Sequence, residues 1–484
     1  MPRAAQARSV PPRTLSEHDD GHSDRPTSSC DLLVVGGGAA GIAAARAGVR
    51  RGRHTMLVQE GRIGGECTFT GCVPSKTLIE AAAAGLSFTE ATARVRAAIE
   101  AIAAAEDAEA LSAEGVEVVI GRGRLLGHRR IGVGTRTIRA RRMVIATGSA
   151  PLVPQVPGLA ESGYLTNETV FDLAELPASI IVLGGGAIGC ELAQAFARLG
   201  AEVHLVEAAE RLLPQEEPEA STTLEEVFSS EGIILHLRST ATRAERPEEG
   251  GPVHLTLADG SEVQADALLV AVGRRPTTDG LDAAEGGIDL DDRGYVKTDR
   301  YLATSVPGVY AAGDVTGRMA FTHAADEMGR LAVANAFGRL RRRCFDTAAI
   351  PWVTFCDPEV ARVGMREPEA AGRGGRVAMV TIAEVDRAVA AGRPEGFVKL
   401  IAGPRSVLRW VGGGRLLGAT IVAPRAGEMI HEVALAMRTG MFTGRLAQTV
   451  HAYPSWSTAL RQAAAQFFFE ADGRRARSAE TPSN

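Results

Sequence analysis

Aromatic residues are scarce in this sequence, at 5% of 484 residues, and no apolar run approaches the ~18–20 residues of a membrane-crossing helix. No membrane partner is therefore expected. A dominant charge is missing too: the net charge is -5, and no sustained basic stripe runs along the chain. That pattern argues against nucleic acid as the main partner. Cysteine is sparse, with residues at 30, 67, 72, 190, 344 and 356, of which only Cys67 and Cys72 lie close together. In a reducing compartment such a pair is catalytic or metal-binding rather than structural. No second cluster of Cys or His stands near it, which disfavours zinc, and no metal site is expected. Residues 1–29 are polar, rich in Pro, Ser, Arg and Asp, and lack the apolar core of a signal peptide. They read as a disordered extension of a cytoplasmic protein, and residues 471–484 read as a disordered tail.

What abounds is Ala and Gly, in a length sufficient for roughly two to four domains. Two segments share one grammar. Asp31-Leu32-Leu33-Val34-Val35 is an apolar run of strand length, followed by Gly36-Gly37-Gly38-Ala39-Ala40-Gly41 and an Ala-rich helical stretch. Ser179-Ile180-Ile181-Val182-Leu183 leads in the same way into Gly184-Gly185-Gly186-Ala187-Ile188-Gly189 and a helix. Strand, G-x-G-x-x-G and helix in that order are what dinucleotide binding needs. Gly36 and Gly184 permit the tight turn, Gly38 and Gly186 let the backbone approach a pyrophosphate, and Gly41 and Gly189 let helix pack on strand. The amide-bearing helix N-terminus then faces the phosphates. At matching distance, each following strand ends in a candidate ribose partner: Gln59 with Glu60 next to it in the first unit, and Glu207 in the second. Two dinucleotides are expected, one per unit.

Arg142–Ser149 ends an apolar strand in a small-residue turn, and Ala267–Arg274 repeats the pattern. Pro151, Pro154 and Pro157 mark a crossover between domains. Gly308–Asp314 places an acid at a strand's C-terminal edge. From about Phe345 the texture changes. Alternating stretches such as Phe397–Ile401 suggest antiparallel strands, and helical segments run from Glu428 to Arg438 and after Ser457.

Around the cysteine pair the chain reads Gly64-Gly65-Glu66-Cys67-Thr68-Phe69-Thr70-Gly71-Cys72-Val73-Pro74-Ser75-Lys76. Pro74 suits the first turn of a helix, where its missing N–H costs nothing. Cys72 then sits at a helix N-terminus, whose positive dipole end stabilises a thiolate, and Lys76 adds charge about a turn onward. The same stretch resembles the GG-x-C-x4-GC-[IV]-PSK signature of the class I pyridine nucleotide–disulfide oxidoreductases, which include dihydrolipoyl dehydrogenases, glutathione reductases and mercuric reductases. The resemblance extends over residues 30–470. It implies an α/β enzyme with two Rossmann-like domains, the NAD domain inserted in the FAD domain, and a C-terminal α+β dimerisation domain. The boundaries are then 30–150 and 273–344 for FAD, 151–272 for NAD(P), and 345–470 for dimerisation. A homodimer carrying FAD is implied.

By the same resemblance Cys72 faces the flavin, Cys67 exchanges with the acceptor, and Lys76 pairs with Glu191 beside the flavin and nicotinamide rings. On residue type alone Glu191 reads as an exposed helix charge. Gly36, Gly38, Gly41, Gly65, Gly123, Thr147, Gly148, Asp314 and Thr322 match FAD-site positions. Gly184, Gly186, Gly189, Glu207 and Gly273 match NAD(P)H contacts. Gln59 departs from the usual Glu, and Glu60 is the alternative ribose partner. Glu207 accepts two ribose hydroxyls and repels a 2′-phosphate, so NADH is favoured, with Arg211 keeping NADPH open.

The C-terminal domain departs further. Where the family carries H-x-H-P-T-x-x-E, this chain has His451-Ala452-Tyr453-Pro454-Ser455-Trp456-Ser457-Thr458. Tyr453 takes the base position, and a phenol of pKa ~10 exchanges protons poorly near neutral pH. His451 matches the family's other, non-base histidine. Mercuric reductases share the tyrosine but carry a C-terminal vicinal Cys pair, and Arg474–Asn484 holds no cysteine. Cys344 and Cys356 read as buried single cysteines. The expectation is electron flow from NADH through FAD and Cys67–Cys72 to a metal ion or another small-molecule acceptor. The alternatives are a dihydrolipoyl dehydrogenase or other disulfide reductase using His451 or water, and a flavoprotein redox sensor with vestigial catalysis.

Overall fold

The computed structural model describes residues 27–481 apart from 128, 249, 339, 340, 408 and 472. Apolar runs too short for helices build its first sheet of seven strands. Strands Val116–Ile120, Thr55–Gln59, Thr27–Val35 and Arg136–Ile145 lie side by side in parallel. Arg130–Val133 and Gly123–Leu125 extend the sheet antiparallel. The chain leaves at Ile145 through a short strand, Ser149–Pro151, and returns through Arg274–Pro276, which pairs antiparallel with it. Between them it builds a second parallel sheet in the order Ile234–His236, Glu202–Val206, Ser179–Leu183 and Ala267–Val270. An antiparallel three-stranded sheet covers 241–265. Val309–Ala311 then re-enters the first sheet beside Arg136–Ile145. The second dinucleotide unit is thus inserted in the first, and the two passages between them form one ribbon.

The third unit is an antiparallel sheet of six strands backed by helices Ala426–Arg438 and Thr458–Ala465. Its strand Phe397–Gly403 is buried at every position, so the expected alternation of faces is absent. The reason is electrostatic as well as apolar. Lys399, 1% exposed, is met by Glu217, Glu219 and Glu367, which allows a charge inside a covered sheet.

Both expected disordered ends need correction. Thr27–Ser29 belong to the first strand and pair with Thr137–Arg139, so order starts before residue 30. The remainder of the expected extension, 1–26, lies outside the described residues. In the expected tail, Arg477–Ser478 pairs with Arg376 and Val377, and Ala476 is buried. Residues 472 and 482–484 lie outside the described residues.

Candidate active site

Both glycine loops are shaped by contacts no side chain could survive. A Cβ on Gly41 would lie 1.8 Å from the Gly36 carbonyl oxygen, and one on Gly189 would lie 1.8 Å from that of Gly184. Each helix can therefore start directly against its strand. The helices Ala39–Val49 and Ala187–Arg198 have no side-chain cap and no acid in the first turn, so their leading amides are available to an anion. Beyond Gly186 there is open space, and Gly38 faces Gly65 with only backbone between them. Buried beside the first loop, the Thr147 hydroxyl has no hydrogen-bond partner. Uncapped amides, cleared backbone and an orphaned hydroxyl fit a pyrophosphate-bearing cofactor in the first unit. The second loop fits another dinucleotide.

The ribose candidates fold back on their own loops. Gln59 Oε1 accepts from the Gly37 amide at 2.6 Å, while its Nε2 donates to the carbonyls of Glu60 and Arg62. Glu207 accepts from the Gly185 amide at 2.5 Å and the Ala209 amide at 2.7 Å. Glu60 points away and faces Arg122. Arg211 is spent on the carbonyls of Glu216 and Pro214 and on Ser221. Gly123 opens an antiparallel strand whose Val133 partner lies across the sheet. Gly148 and Gly273 sit in turns with φ of 75° and 150°.

Cys72 begins the helix Cys72–Ala83, with Pro74 buried in its first turn. Its sulfur lies 3.2 Å from the Thr322 hydroxyl, at the start of the helix Thr322–Phe337. The Cys72 thiol is lowered to about 6, first by a hydrogen bond from Cys67 and then by Thr322 and Lys76, against the cost of burial. The same pairing, with burial, pushes the Cys67 thiol well up, so one proton is shared unequally and Cys72 carries the charge. Neither cysteine is in a disulfide in this structure. Lys76 Nζ donates to Glu191 Oε2 at 2.8 Å and lies over the Phe355 ring, and Glu191 Oε1 accepts from the Phe355 amide at 2.8 Å. Glu191 is 4% exposed, so the reading of an exposed helix charge is overturned.

Tyr453 and His451 lie apart from this cluster, on the third unit. Tyr453 is 77% exposed and donates to Asp386 at 2.8 Å, whose carboxylate pushes the phenol pKa up. His451 is tied to Glu432 at 3.1 Å and to the Thr449 carbonyl. Thr458 contacts Ser455 rather than either residue. Of the remaining cysteines, Cys356 is buried as expected, but Cys344 is exposed. Its neighbours Arg341–Arg343 are polar and exposed or nearly so, which leaves nothing to cover it.

Sequence reasoning missed Glu66, Asn167, Ser149 and Arg274. Glu66 forms a two-armed ion pair with Arg274 and accepts from Asn167 at 2.6 Å. Arg274 also donates to Ser149 Oγ at 2.8 Å, and that hydroxyl donates to Asp314 at 2.6 Å. An acid inside the GG-x-C loop was the one visible signal.

Residues 30–329 match the pyridine nucleotide-disulphide oxidoreductase family, and residues 350–464 match its dimerisation domain. A mercuric reductase of Streptomyces lividans is 37% identical over 463 residues, covering 90% of this chain and 96% of that protein. A dihydrolipoyl dehydrogenase of Thermus scotoductus is 33% identical over 461 residues, with 90% and 96% covered. Among solved structures, the Cu(II) complex of the HOCl-induced flavoprotein disulfide reductase RclA from Escherichia coli superposes with a TM-score of 0.81 at 26% identity, covering 90% of this chain and 99% of that one. LpdA from Mycobacterium tuberculosis superposes with a TM-score of 0.81 at 30% identity, covering 91% and 100%. Among the described residues, no helix is long and apolar enough to cross a membrane.

Proposed function

This chain belongs to the pyridine nucleotide-disulphide oxidoreductase family, FAD-dependent enzymes that use NAD(P)H, and from that premise we propose that it moves electrons from NADH to Cys67–Cys72 and on to a small acceptor. The observation that carries this reading is Cys72: a sulfur at a helix N-terminus, beside Thr322 and Lys76, lowered to about 6 and so ionised at neutral pH. FAD, when bound, supplies two-electron chemistry between a nicotinamide and a thiol pair. Gly36, Gly38, Gly41 and Thr147 would hold it, with Asp314 at the sugar side chain. Reduction of the Cys67–Cys72 disulfide takes two electrons and one proton, leaving a thiol at Cys67 and a thiolate at Cys72. Lys76 and the helix N-terminus hold that negative charge. Glu191, buried against the Phe355 amide, holds Lys76 in place.

Glu207 supports NADH over NADPH, because a carboxylate there repels a 2′-phosphate and Arg211 is occupied elsewhere. The acceptor is read from the third unit, taken as the dimerisation face of a homodimer. Asp386 keeps the Tyr453 phenol protonated, and His451 is engaged with Glu432. Neither is a free base for a large disulfide substrate. A metal ion or small oxidant needs none: two electrons leave, the disulfide re-forms and one proton is released. Relatives named for mercuric ion and for a Cu(II) complex support that class.

The test is a panel of acceptors for NADH oxidation: Hg(II), Cu(II), quinones, lipoamide and glutathione disulfide. Turnover confined to metal ions or quinones is expected. Robust lipoamide turnover that is lost in His451→Ala would establish a disulfide reductase instead. Tight FAD with no turnover on any acceptor would point to a redox sensor. Anaerobic NADH titration should give a long-wavelength thiolate–flavin band that Cys72→Ser abolishes; its absence in the unmodified protein refutes the proposed chemistry.

A further inference from the structure

Glu66 immediately precedes Cys67 on a helix of five residues, Gly65–Phe69, which is too short to hold its own position. Its carboxylate, at 27% side-chain exposure, meets both terminal nitrogens of Arg274, at 17%. Burial raises the Glu66 pKa and the Arg274 charge opposes that shift. Asn167 Nδ2 donates to the same carboxylate at 2.6 Å and to the Thr70 carbonyl at 3.2 Å, so it grips the redox loop at both ends.

These partners share one location. Arg274 begins the strand by which the chain returns from the second unit, four residues after Ala267–Val270 ends. Asn167 stands two residues past Leu165, which bridges to Leu269 on that same edge strand. The loop bearing Cys67 is therefore moored to the edge of the second dinucleotide unit. Carboxylate and guanidinium neutralise each other, so the pair adds little net field at the sulfurs. What it controls is where Cys67 stands.

We propose that Glu66 is a positioning residue: through Arg274 and Asn167 it holds the Cys67 loop against Cys72 and so sets the equilibrium between the disulfide and the dithiol. The inference rests on the reading that this pair is redox-active. Forming the S–S bond removes two electrons and two protons from the thiols and requires the sulfurs to close to about 2 Å. A loosened loop lowers their effective concentration and favours the dithiol.

Full-chain FAD-loaded protein is equilibrated in mixtures of reduced and oxidised dithiothreitol, the free thiols are trapped with iodoacetamide, and the trapped fraction is read by mass at Cys67 and Cys72. Glu66→Gln and Arg274→Gln should each shift the equilibrium about tenfold toward dithiol, about 30 mV for a two-electron couple. The double variant should shift no further than either single one, because both remove one contact. Asn167→Ala, which deletes a single tether and leaves the ion pair, should shift it about threefold, and it carries the test if the charge variants fail to fold. Equilibria within error of the unmodified protein, in Asn167→Ala and in whichever charge variants fold, overturn the inference. If the unmodified pair does not exchange with dithiothreitol at all, the redox reading itself falls, which separates the two failures.

Discussion

The Lys76–Glu191 pair makes a prediction in which two partners of one ion pair act on a third group with opposite sign. Lys76 lowers the Cys72 pKa and Glu191 raises it, and the Cys72 thiol stands at about 6. Replacing Lys76 with Met deletes the attraction, so the Cys72 midpoint should rise by about one unit, the low end for an opposite charge at close range. Replacing Glu191 with Gln should move the midpoint the other way by a similar or smaller amount, while the amide oxygen can still accept from Phe355. Stability separates the two as well. Lys76→Met strands a carboxylate that is 4% exposed, and with the lysine itself a third open to solvent the loss is about 2 kcal/mol. Glu191→Gln leaves a lysine that can turn toward water and should cost less. The assay follows iodoacetamide alkylation of reduced protein against pH, with Cys72 modification read by mass, beside urea denaturation of each variant. Midpoints that shift in the same direction, or that do not shift, would refute the electrostatic account of Cys72.

Two further outcomes follow from other parts of the fold. Glu359 accepts from the Gly427 amide at 2.7 Å, and burial raises its pKa from 4.5 to about 7. A carboxyl raised on folding contributes stability below pH 4.5 that is lost as pH rises to about 7, roughly 3 kcal/mol across that window. In Glu359→Gln that slope between pH 4.5 and 7 should vanish from urea midpoints, and an unchanged slope would rule Glu359 out as its source. Separately, Gly41→Ala places a methyl 1.8 Å from the Gly36 carbonyl, which must displace the first loop. Purified variant should lose bound flavin absorbance, whereas Gly52→Ala, at a glycine with no neighbour within 4 Å, should keep it.

Much of the site was legible because its signals are local. A glycine loop between strand and helix is written in consecutive residues, and Cys72 at a helix N-terminus follows from Pro74 and the turn before it. The end of the order at each terminus was less legible: Thr27–Ser29 and Arg477–Ser478 are polar, and only a neighbouring strand gives their backbone groups partners. Glu191 could not be told from a surface charge, because its burial depends on Phe355 and Lys76 arriving from other elements.

By itself the sequence determined two dinucleotide loops, a thiolate poised at a helix start, and an acceptor side without its usual histidine. Those are matters of turn geometry, helix dipole and residue chemistry, each confined to a few positions. Only the tertiary structure decided that Cys72 meets a hydroxyl 250 residues away, that Tyr453 is held by Asp386, and that Glu66 is moored to Arg274 across 208 residues. Charges and hydroxyls carry no sequence mark of their partners; they find them only when packed strands and helices bring distant segments within a few ångströms.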